Sequence, residues 1–179
     1  MRGSFVPEVS PRAPTESRAS VARLMVPTEA NFSGNVFGGA LLAEVDRAAY
    51  ISATRHSQRT CVTASFDRVD FLAPVHVGEV VDFDARVTCV GRTSMEVWVT
   101  IRAQPALGGE RRLVGNAFVT MVAVDESGKP VPAPPLRLDT EEERRLCRDG
   151  EQRMKQRRQT RALGPSPTEL SPTPHRGAS

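Results

Sequence analysis

The residues that could do chemistry in this chain are concentrated in residues 34–46, which read GNVFGGALLAEVD. Two adjacent glycines, Gly38 and Gly39, lead into an apolar run, and Asp46 follows two helical turns later. Glycines at the start of a helix leave backbone N–H groups unpaired and let a ligand approach them closely. Such donors could stabilise a developing oxyanion, while the carboxylate could serve as a general base or a nucleophile.

Each of these features also has a purely structural explanation. The glycines could permit a tight turn from loop to helix, and Asn35 in the same loop could form an Asx turn. Asp46 could be paired inside the core, because an aspartate on an apolar helix face costs stability unless it is paired or has a function. From the residues alone, both explanations remain open.

The elements that must hold this stretch follow from hydrophobic periodicity. Residues 39–56 are predicted to form a helix that is apolar around most of its circumference and therefore largely enclosed, with Asp46 interrupting an apolar face. One strand is predicted before the helix, and four strand-like runs follow it. The predicted strands are residues 20–26, 60–71 with a bulge, 79–90, 93–103 and 112–124. This set predicts an α+β fold in which an antiparallel sheet wraps around one long central helix.

Composition divides the 179 residues into a folded middle and two flanking segments. Residues 1–19 are rich in proline, serine and arginine and are predicted to be a disordered tail, as are residues 164–179. Residues 20–135 are predicted to form the folded domain, whose last segment, PVPAPP, is expected to be extended and outside the core. Residues 136–163 are highly charged, with Gly150 in the middle, and are predicted to form a solvated helical extension.

Charge and cysteine content exclude several classes of protein. The net charge of +3 favours anionic ligands, but no aromatic residues interleave the arginines of the extension, so nucleic acid is not an expected partner. No apolar run is long enough to span a membrane or to act as a signal peptide, and a cytoplasmic location is expected. Cys61, Cys89 and Cys147 are widely spaced and form no CxxC pair, which predicts neither a disulfide nor a zinc site.

Four motifs occur in order within the predicted domain: GNVFGG, then ALLAEVD on the helix, then VDFLAPVHVGEVV, and finally VGRTSMEVWV. Together they resemble the acyl-CoA thioesterases of the hotdog fold, particularly the bacterial YciA-like enzymes and the cytosolic acyl-CoA hydrolases. The resemblance implies the hotdog fold and hydrolysis of acyl-CoA to a free acid and coenzyme A. It also implies that no metal or other cofactor takes part, since coenzyme A is part of the substrate.

The same resemblance implies catalytic roles for four residues within residues 34–46. Gly38 and Gly39 match the family's oxyanion site. Asp46 matches its catalytic aspartate, as a general base that activates water or as a nucleophile. Asn35 matches an asparagine that orients the water or the thioester.

A second site for the coenzyme A part of the substrate is implied by the turn in VGRTSM. Arg92, Thr93 and Ser94 match the family segment that lies beside the nucleotide, where positive charge and polar donors suit phosphates. A hairpin turn with a solvated arginine is the alternative explanation.

Helix geometry adds a prediction about assembly. On a helix that rises about 1.5 Å per residue, Gly38 and Asp46 lie about 12 Å apart along the axis, too far to act on one thioester carbon. We therefore expect each site to combine Gly38 and Gly39 of one copy with Asp46 of another, in a homodimer around a two-fold axis. The family resemblance implies such a dimer and often a trimer of dimers.

Two other functions compete with hydrolysis. The first is a non-catalytic acyl-CoA sensor or binding module, which would not need a costly carboxylate at position 46. The second is a hotdog dehydratase, which would use a histidine with a carboxylate. Neither His56 nor His76 lies within the motif that carries the chemistry.

Overall fold

The structure is a computed structural model that describes residues 10–162. Its two α-helices are α1, Gly38–Ser57, and α2, Glu141–Ala162. Its five strands are β1 Ala19–Leu24, β2 Thr60–Phe71, β3 Glu79–Val90, β4 Ser94–Pro105 and β5 Arg112–Val124. Short 3-10 helices at Pro14–Ser17 and Pro27–Glu29 flank β1.

The strands form one antiparallel sheet in the order β1-β3-β4-β5-β2, and α1 packs against all five of them on one face. Four apolar residues of α1 are fully buried against the inward-facing side chains of the sheet, namely Val45, Ala48, Ala49 and Ala53. Small alanines let the helix approach the sheet closely, and the longer strand side chains fill the remaining space. The predicted α+β hotdog fold, with a sheet wrapped around one long helix, is confirmed.

The pairing register of the sheet is interrupted by β-bulges in β2 and in β3. In β2 the register shifts between Thr63 and Ser65 and again between Phe66 and Arg68, in agreement with the predicted bulge. In β3 a shift after Val87 pairs Cys89 with Glu96 of β4. A bulge bends its strand and increases the local twist, so the bulges change the course of β2 beside α1 and of β3 beneath α2.

The second helix covers part of the outer face of the sheet, opposite α1. Arg153 reaches down from α2 to Glu96 through two hydrogen bonds of 2.8 Å, and the Glu96 side chain is fully buried. Gly150 and Met154 of α2 are also buried. A helix lies where the charged extension was predicted, but it packs on the sheet and is not the solvated helix that was expected. Its polar side chains find partners on the sheet, which a single-sequence pattern cannot reveal.

The segment before β1 also packs on the domain. Ser17 is buried, and its hydroxyl accepts a hydrogen bond from the Val87 amide at 3.1 Å and donates one to the Pro14 carbonyl at 2.8 Å. Residues 10–19 therefore differ from the predicted disordered tail, because this serine satisfies a backbone group of β3. The rest of that tail and residues 164–179 lie outside the described residues.

The proline-rich segment after β5 is extended, as predicted, but part of it joins the core. Ala133 is buried, and its amide donates to the Arg92 carbonyl at 3.0 Å. Among the described residues, neither helix has an apolar stretch long enough to cross a membrane.

Candidate active site

The predicted oxyanion donors lie at the first turn of α1. Phe37 precedes the helix with an extended backbone and does not cap it with its side chain. Within the described residues, the amides of Gly38 and Gly39 donate to no other group, as expected at a helix N-terminus. A Cβ at Gly39 would lie 2.6 Å from the Phe37 ring, so a side chain there would displace that ring. This turn offers two free donors and the positive end of the helix dipole.

A hydrogen-bonded loop positions that turn. The Asn31 side-chain oxygen accepts hydrogen bonds from the amides of Ser33 at 2.9 Å and Asn35 at 3.2 Å. The backbone amide of Asn31 in turn donates to the backbone carbonyl of Asn35 at 2.7 Å, and Gly34 between them has a φ of +78°. The Asx turn is thus formed by Asn31, which the sequence analysis missed, and not by Asn35. Asn35 itself is half-buried and pairs with His76 through an isolated β-bridge.

Asp46 lies on the side of α1 that faces away from the centre of the sheet. It is half-buried, and its carboxylate accepts a hydrogen bond of 2.5 Å from the Thr63 hydroxyl on β2. The apolar face that Asp46 interrupts is only partly buried in the single chain, because Ala49 and Ala53 are fully buried but Leu42 and Asp46 are half-buried. The neighbours of Asp46 along the helix at Gly39, Ala43 and Tyr50 are exposed, so this stripe is uncovered.

The buried carboxylate of α1 is Glu44, two residues earlier. It is 2% exposed and accepts hydrogen bonds from both Arg23 and Arg47. Arg23 also pairs with Glu29 at 2.7 Å, and its hydrogen bond with Glu44 raises the pKa of Arg23. Glu44 is therefore a structural residue, paired with two arginines, that ties α1 to β1, whereas Asp46 has a single hydroxyl partner within the described residues.

The predicted coenzyme A turn connects β3 to β4. The Gly91 amide donates to the Ser94 carbonyl at 2.7 Å. The Thr93 carbonyl accepts from the Ala123 amide of β5, and the Arg92 carbonyl accepts from the Ala133 amide after β5. The Arg92 side chain is exposed, while Thr93 and Ser94 are half-buried. The turn thus presents one solvated guanidinium and is anchored by its backbone.

Sheet register determines which of these groups lie near one another. One row of the sheet contains Thr63 of β2, Met121 of β5 and Met95 of β4, so Thr63 and Met95 are about 10 Å apart across two strands. The Arg92–Ser94 turn is therefore at the same end of the sheet as Thr63, the partner of Asp46. The opposite end holds the glycines, because the Phe71 ring at the end of β2 lies 3.4 Å from a Cβ at Gly38. Within one chain, the turn and the aspartate are together, and the oxyanion donors are apart from them.

The histidines do not contribute to this arrangement. His56, near the end of α1, is fully buried, and its Nε2 lies 2.8 Å from the Pro134 carbonyl oxygen. Burial lowers the pKa of His56, which favours the neutral ring with the proton on Nε2. His76 is exposed, and its amide donates to the Glu79 carboxylate at 2.8 Å. Neither is next to Asp46, so the arrangement a dehydratase would need is absent from the described residues.

Two further features lie away from this arrangement, on the outer face of the sheet. A cavity of about 690 Å³ is lined by four arginines and Trp98, over which the guanidinium of Arg86 stacks at 5.0 Å. The group of side chains that could hold a metal, among the described residues, is Cys89, Cys147 and Glu151. Neither feature contacts Asp46 or the glycines.

Comparison with known proteins identifies the family to which this chain is similar. Residues 33–108 match the family model described as the thioesterase superfamily. Over 143 residues the chain is 41% identical to an uncharacterized acyl-CoA thioester hydrolase of Bacillus subtilis, covering 80% of this chain and 83% of that protein. A hexameric acyl-CoA thioesterase solved without ligand is 42% identical with a TM-score of 0.81, and the match covers 87% of this chain and all of that one.

A third relative is the acyl-CoA hydrolase of Staphylococcus aureus, 33% identical with a TM-score of 0.78 over 85% of this chain and 93% of that one. It was solved with butyryl coenzyme A, coenzyme A and coenzyme A disulfide. It was also solved as three alanine variants, of an asparagine, an aspartate 15 residues later and a threonine 17 residues after that. The chain therefore belongs to the thioesterase superfamily and, within it, to the acyl-CoA thioester hydrolases.

Proposed function

We propose that this protein hydrolyses acyl-CoA to a free acid and coenzyme A at a site shared between two copies of the chain. The observation that carries this proposal is the uncovered stripe of α1, which holds both the unpaired amides of Gly38 and Gly39 and the carboxylate of Asp46. Donors and carboxylate are about 12 Å apart along one helix. A second copy is needed to bring them to one carbonyl group.

The surface around this stripe has the character of an interface. β2 is an edge strand of twelve residues, and its unpaired backbone groups are a template for another strand. The apolar residues on and just after it are between 40% and 58% exposed, namely Val62, Phe66, Phe71 and Leu72. Such a long apolar edge favours association, and it is continuous with α1 through the hydrogen bond between Thr63 and Asp46.

A two-fold axis near the middle of this surface would complete two sites at once. Leu42 lies halfway between Gly38 and Asp46, and the small side chain of Ala43 beside it is exposed, which allows two antiparallel helices to approach closely. Gly38 of each copy would then face Asp46 of the other. Because one relative is a hexamer, we extend the proposal to three such dimers in one particle.

Within the shared site, each group has a defined task. The amides of Gly38 and Gly39 stabilise the oxyanion that forms on the thioester carbonyl. Asp46, held by Thr63, activates water or attacks the carbonyl, and the thiolate of coenzyme A leaves. Arg92, at the same end of the sheet as Asp46, offers positive charge to the phosphates of coenzyme A.

Two asparagines are candidates for the residue that orients the water or the thioester. Asn35 is the residue predicted from the sequence. However, this chain has the same three residue types at the same sequence intervals as the residues replaced in the S. aureus variants, at Asn31, Asp46 and Thr63. We therefore propose Asn31 for this role, with Asn35 as the competing assignment. Asn31→Ala should then reduce turnover more than Asn35→Ala does.

Mixed dimers test the shared site directly. Gly38→Pro removes one amide donor at a helix position that tolerates proline, and Phe37 before it already has the extended backbone that proline requires (φ −68°, ψ 132°). Gly38→Pro and Asp46→Ala should each be nearly inactive alone. Refolded or co-expressed together, they should regain acyl-CoA hydrolysis, because a mixed dimer contains one site with both functional halves.

The readout is thiol release from butyryl-CoA and longer acyl-CoA substrates. Recovery of about a quarter of wild-type activity is expected, because half of the dimers in a random mixture are mixed and each has one intact site. If mixing restores nothing while both variants remain folded and associated, each site lies within one chain. Tight acyl-CoA binding by the wild type without turnover would instead support a binding module. The expected cytoplasmic location and absence of a cofactor stay predictions.

A further inference from the structure

Three metal-ligating side chains that the thioesterase site does not use meet where α2 crosses β3. Cys89 lies near the end of β3, and Cys147 and Glu151 are one helical turn apart on α2. The two sulfur atoms and a Glu151 carboxylate oxygen all lie within 4.8 Å of one another. Two ligands at positions i and i+4 project from the same helix face, so only the strand residue must be brought to them by the tertiary fold.

A glycine makes this approach possible. A Cβ at Gly150 would lie 2.7 Å from the Cys89 Cβ and 2.8 Å from a Glu96 carboxylate oxygen, so no other residue fits without moving the helix. Glycine inside a helix costs about 1 kcal/mol relative to alanine. The chain tolerates that loss where α2 comes nearest to β3, between the two helix residues of the cluster.

The charge of the cluster suits a cation. Two thiolates and a carboxylate would repel one another, and a divalent cation converts the three anions into ligands. The nearby carboxylate of Glu96 does not compete, because Arg153 and Thr88 already donate to it.

The burial and spacing of the three groups fit a soft or borderline metal ion. Thiolates select such ions over Mg²⁺ or Ca²⁺, and two sulfurs on a tetrahedral Zn²⁺ with Zn–S bonds of about 2.3 Å are about 3.8 Å apart. Cys89 is buried, Cys147 is half-buried and Glu151 is exposed, so the cluster opens to solvent on one side. Lys155 and Arg158 line the adjoining pocket with Glu151 and can offset the remaining negative charge.

We propose that Cys89, Cys147 and Glu151 form a site for Zn²⁺ or a similar thiophilic divalent cation, with the fourth position open to water. Bound metal would fasten α2 to the outer face of the sheet. None of its three residues belongs to the proposed acyl-CoA site, although the adjoining pocket reaches Gly91, next to the proposed coenzyme A turn.

Cobalt is a suitable probe, because thiolate ligands give Co²⁺ an intense charge-transfer absorption in the near ultraviolet. The full-length protein, reduced and treated with chelator, is titrated with Co²⁺ without oxygen. We expect one equivalent per chain, displacement by Zn²⁺, and a higher melting temperature with Zn²⁺ bound. Cys147→Ser should lose the absorption, Glu151→Gln should bind about tenfold more weakly, and Cys61→Ser, a change at a buried thiol outside the cluster, should bind like the wild type.

Two results would overturn the site. One is unchanged Co²⁺ absorption in Cys147→Ser, whose fold is checked by its metal-free melting curve. The other is purified protein in which Cys89 and Cys147 are joined by a disulfide, seen as a mass 2 Da below that of the reduced chain. Because the readouts are absorption, mass and melting temperature, they are separate from any failure of the thioesterase proposal.

Discussion

The two faces of the sheet are covered in different ways. The acidic side chains under α2 are paired with arginines, whereas the acidic side chain on the uncovered stripe of α1 is not. On the outer face, α2 brings arginines to acids: Arg153 pairs with the buried Glu96, and Arg157 pairs with the half-buried Asp67 at 2.5 Å. Arg153 also stacks over Phe118, with its guanidinium 4.0 Å from the ring centre. On the inner face, α1 buries alanine and valine and leaves a stripe uncovered, where Asp46 has Thr63 as its hydrogen-bond partner.

The contrast indicates how to recognise the reactive carboxylate. A buried acid whose oxygens are occupied by arginines is held in place and contributes to the fold. An acid that is half-buried beside apolar surface, with most of its hydrogen-bonding capacity unused, is available to a substrate. Asp46 belongs to the second kind and Glu96 to the first, although the sequence alone does not separate them.

The largest effect should come from the inner face. Asp46→Ala is expected to lower turnover of acyl-CoA by about 10²- to 10⁴-fold, the usual contribution of a positioned acid or base. The melting temperature should stay close to that of the wild type, because only one hydroxyl loses its partner. Thiol release and circular dichroism measure the two quantities. Asp149→Ala, at an exposed site on α2, is the control, and equal losses in both variants would contradict the contrast.

The opposite result is expected on the outer face. Arg153→Ala leaves the buried Glu96 carboxylate with Thr88 as its hydrogen-bond donor and should lower the free energy of unfolding by about 3 kcal/mol. Turnover per folded molecule should not change. Urea denaturation at fixed protein concentration gives the difference. Arg148→Ala removes an exposed pair with Glu141 and should have a much smaller effect, so similar losses in the two variants would show that burial is not decisive.

A smaller effect should appear at the buried end of α1 as pH is lowered. Burial lowers the pKa of His56 in the folded state, so below the ordinary histidine pKa of about 6.5 the unfolded chain binds a proton that the folded chain does not. This contribution to stability is present above that pH and is lost as the pH falls from 7 to 5.

Unfolding free energies of the wild type and His56→Gln between pH 5 and 7 measure that loss. The glutamine amide can still donate to the Pro134 carbonyl but does not titrate, so the variant should show a flatter profile. His76→Gln, at an exposed position, should keep the wild-type profile. Identical profiles for wild type and His56→Gln would assign the pH dependence to other groups.

Much of the fold followed from the sequence because its signals are local. Strict alternation over residues 79–90 and the apolar pattern of residues 112–124 predicted β3 and β5 with the bounds that the structure has. The long apolar helix was predicted to within a residue at each end. The glycine pair and Asp46 stood out because their types conflict with their apolar surroundings, and that conflict is visible without a structure.

The remaining contacts could not be predicted, because they join elements far apart in the chain. The sequence by itself determined the strands, the central helix, the family motifs and the 12 Å separation that calls for a second copy, since periodicity and helical rise depend only on neighbouring residues. Only the tertiary structure decided that Thr63 holds Asp46, that Glu44 is the buried acid of α1, and that Cys89 meets Cys147 beside Gly150. Burial and pairing depend on which faces distant segments cover, and that is decided by the packing of the whole chain.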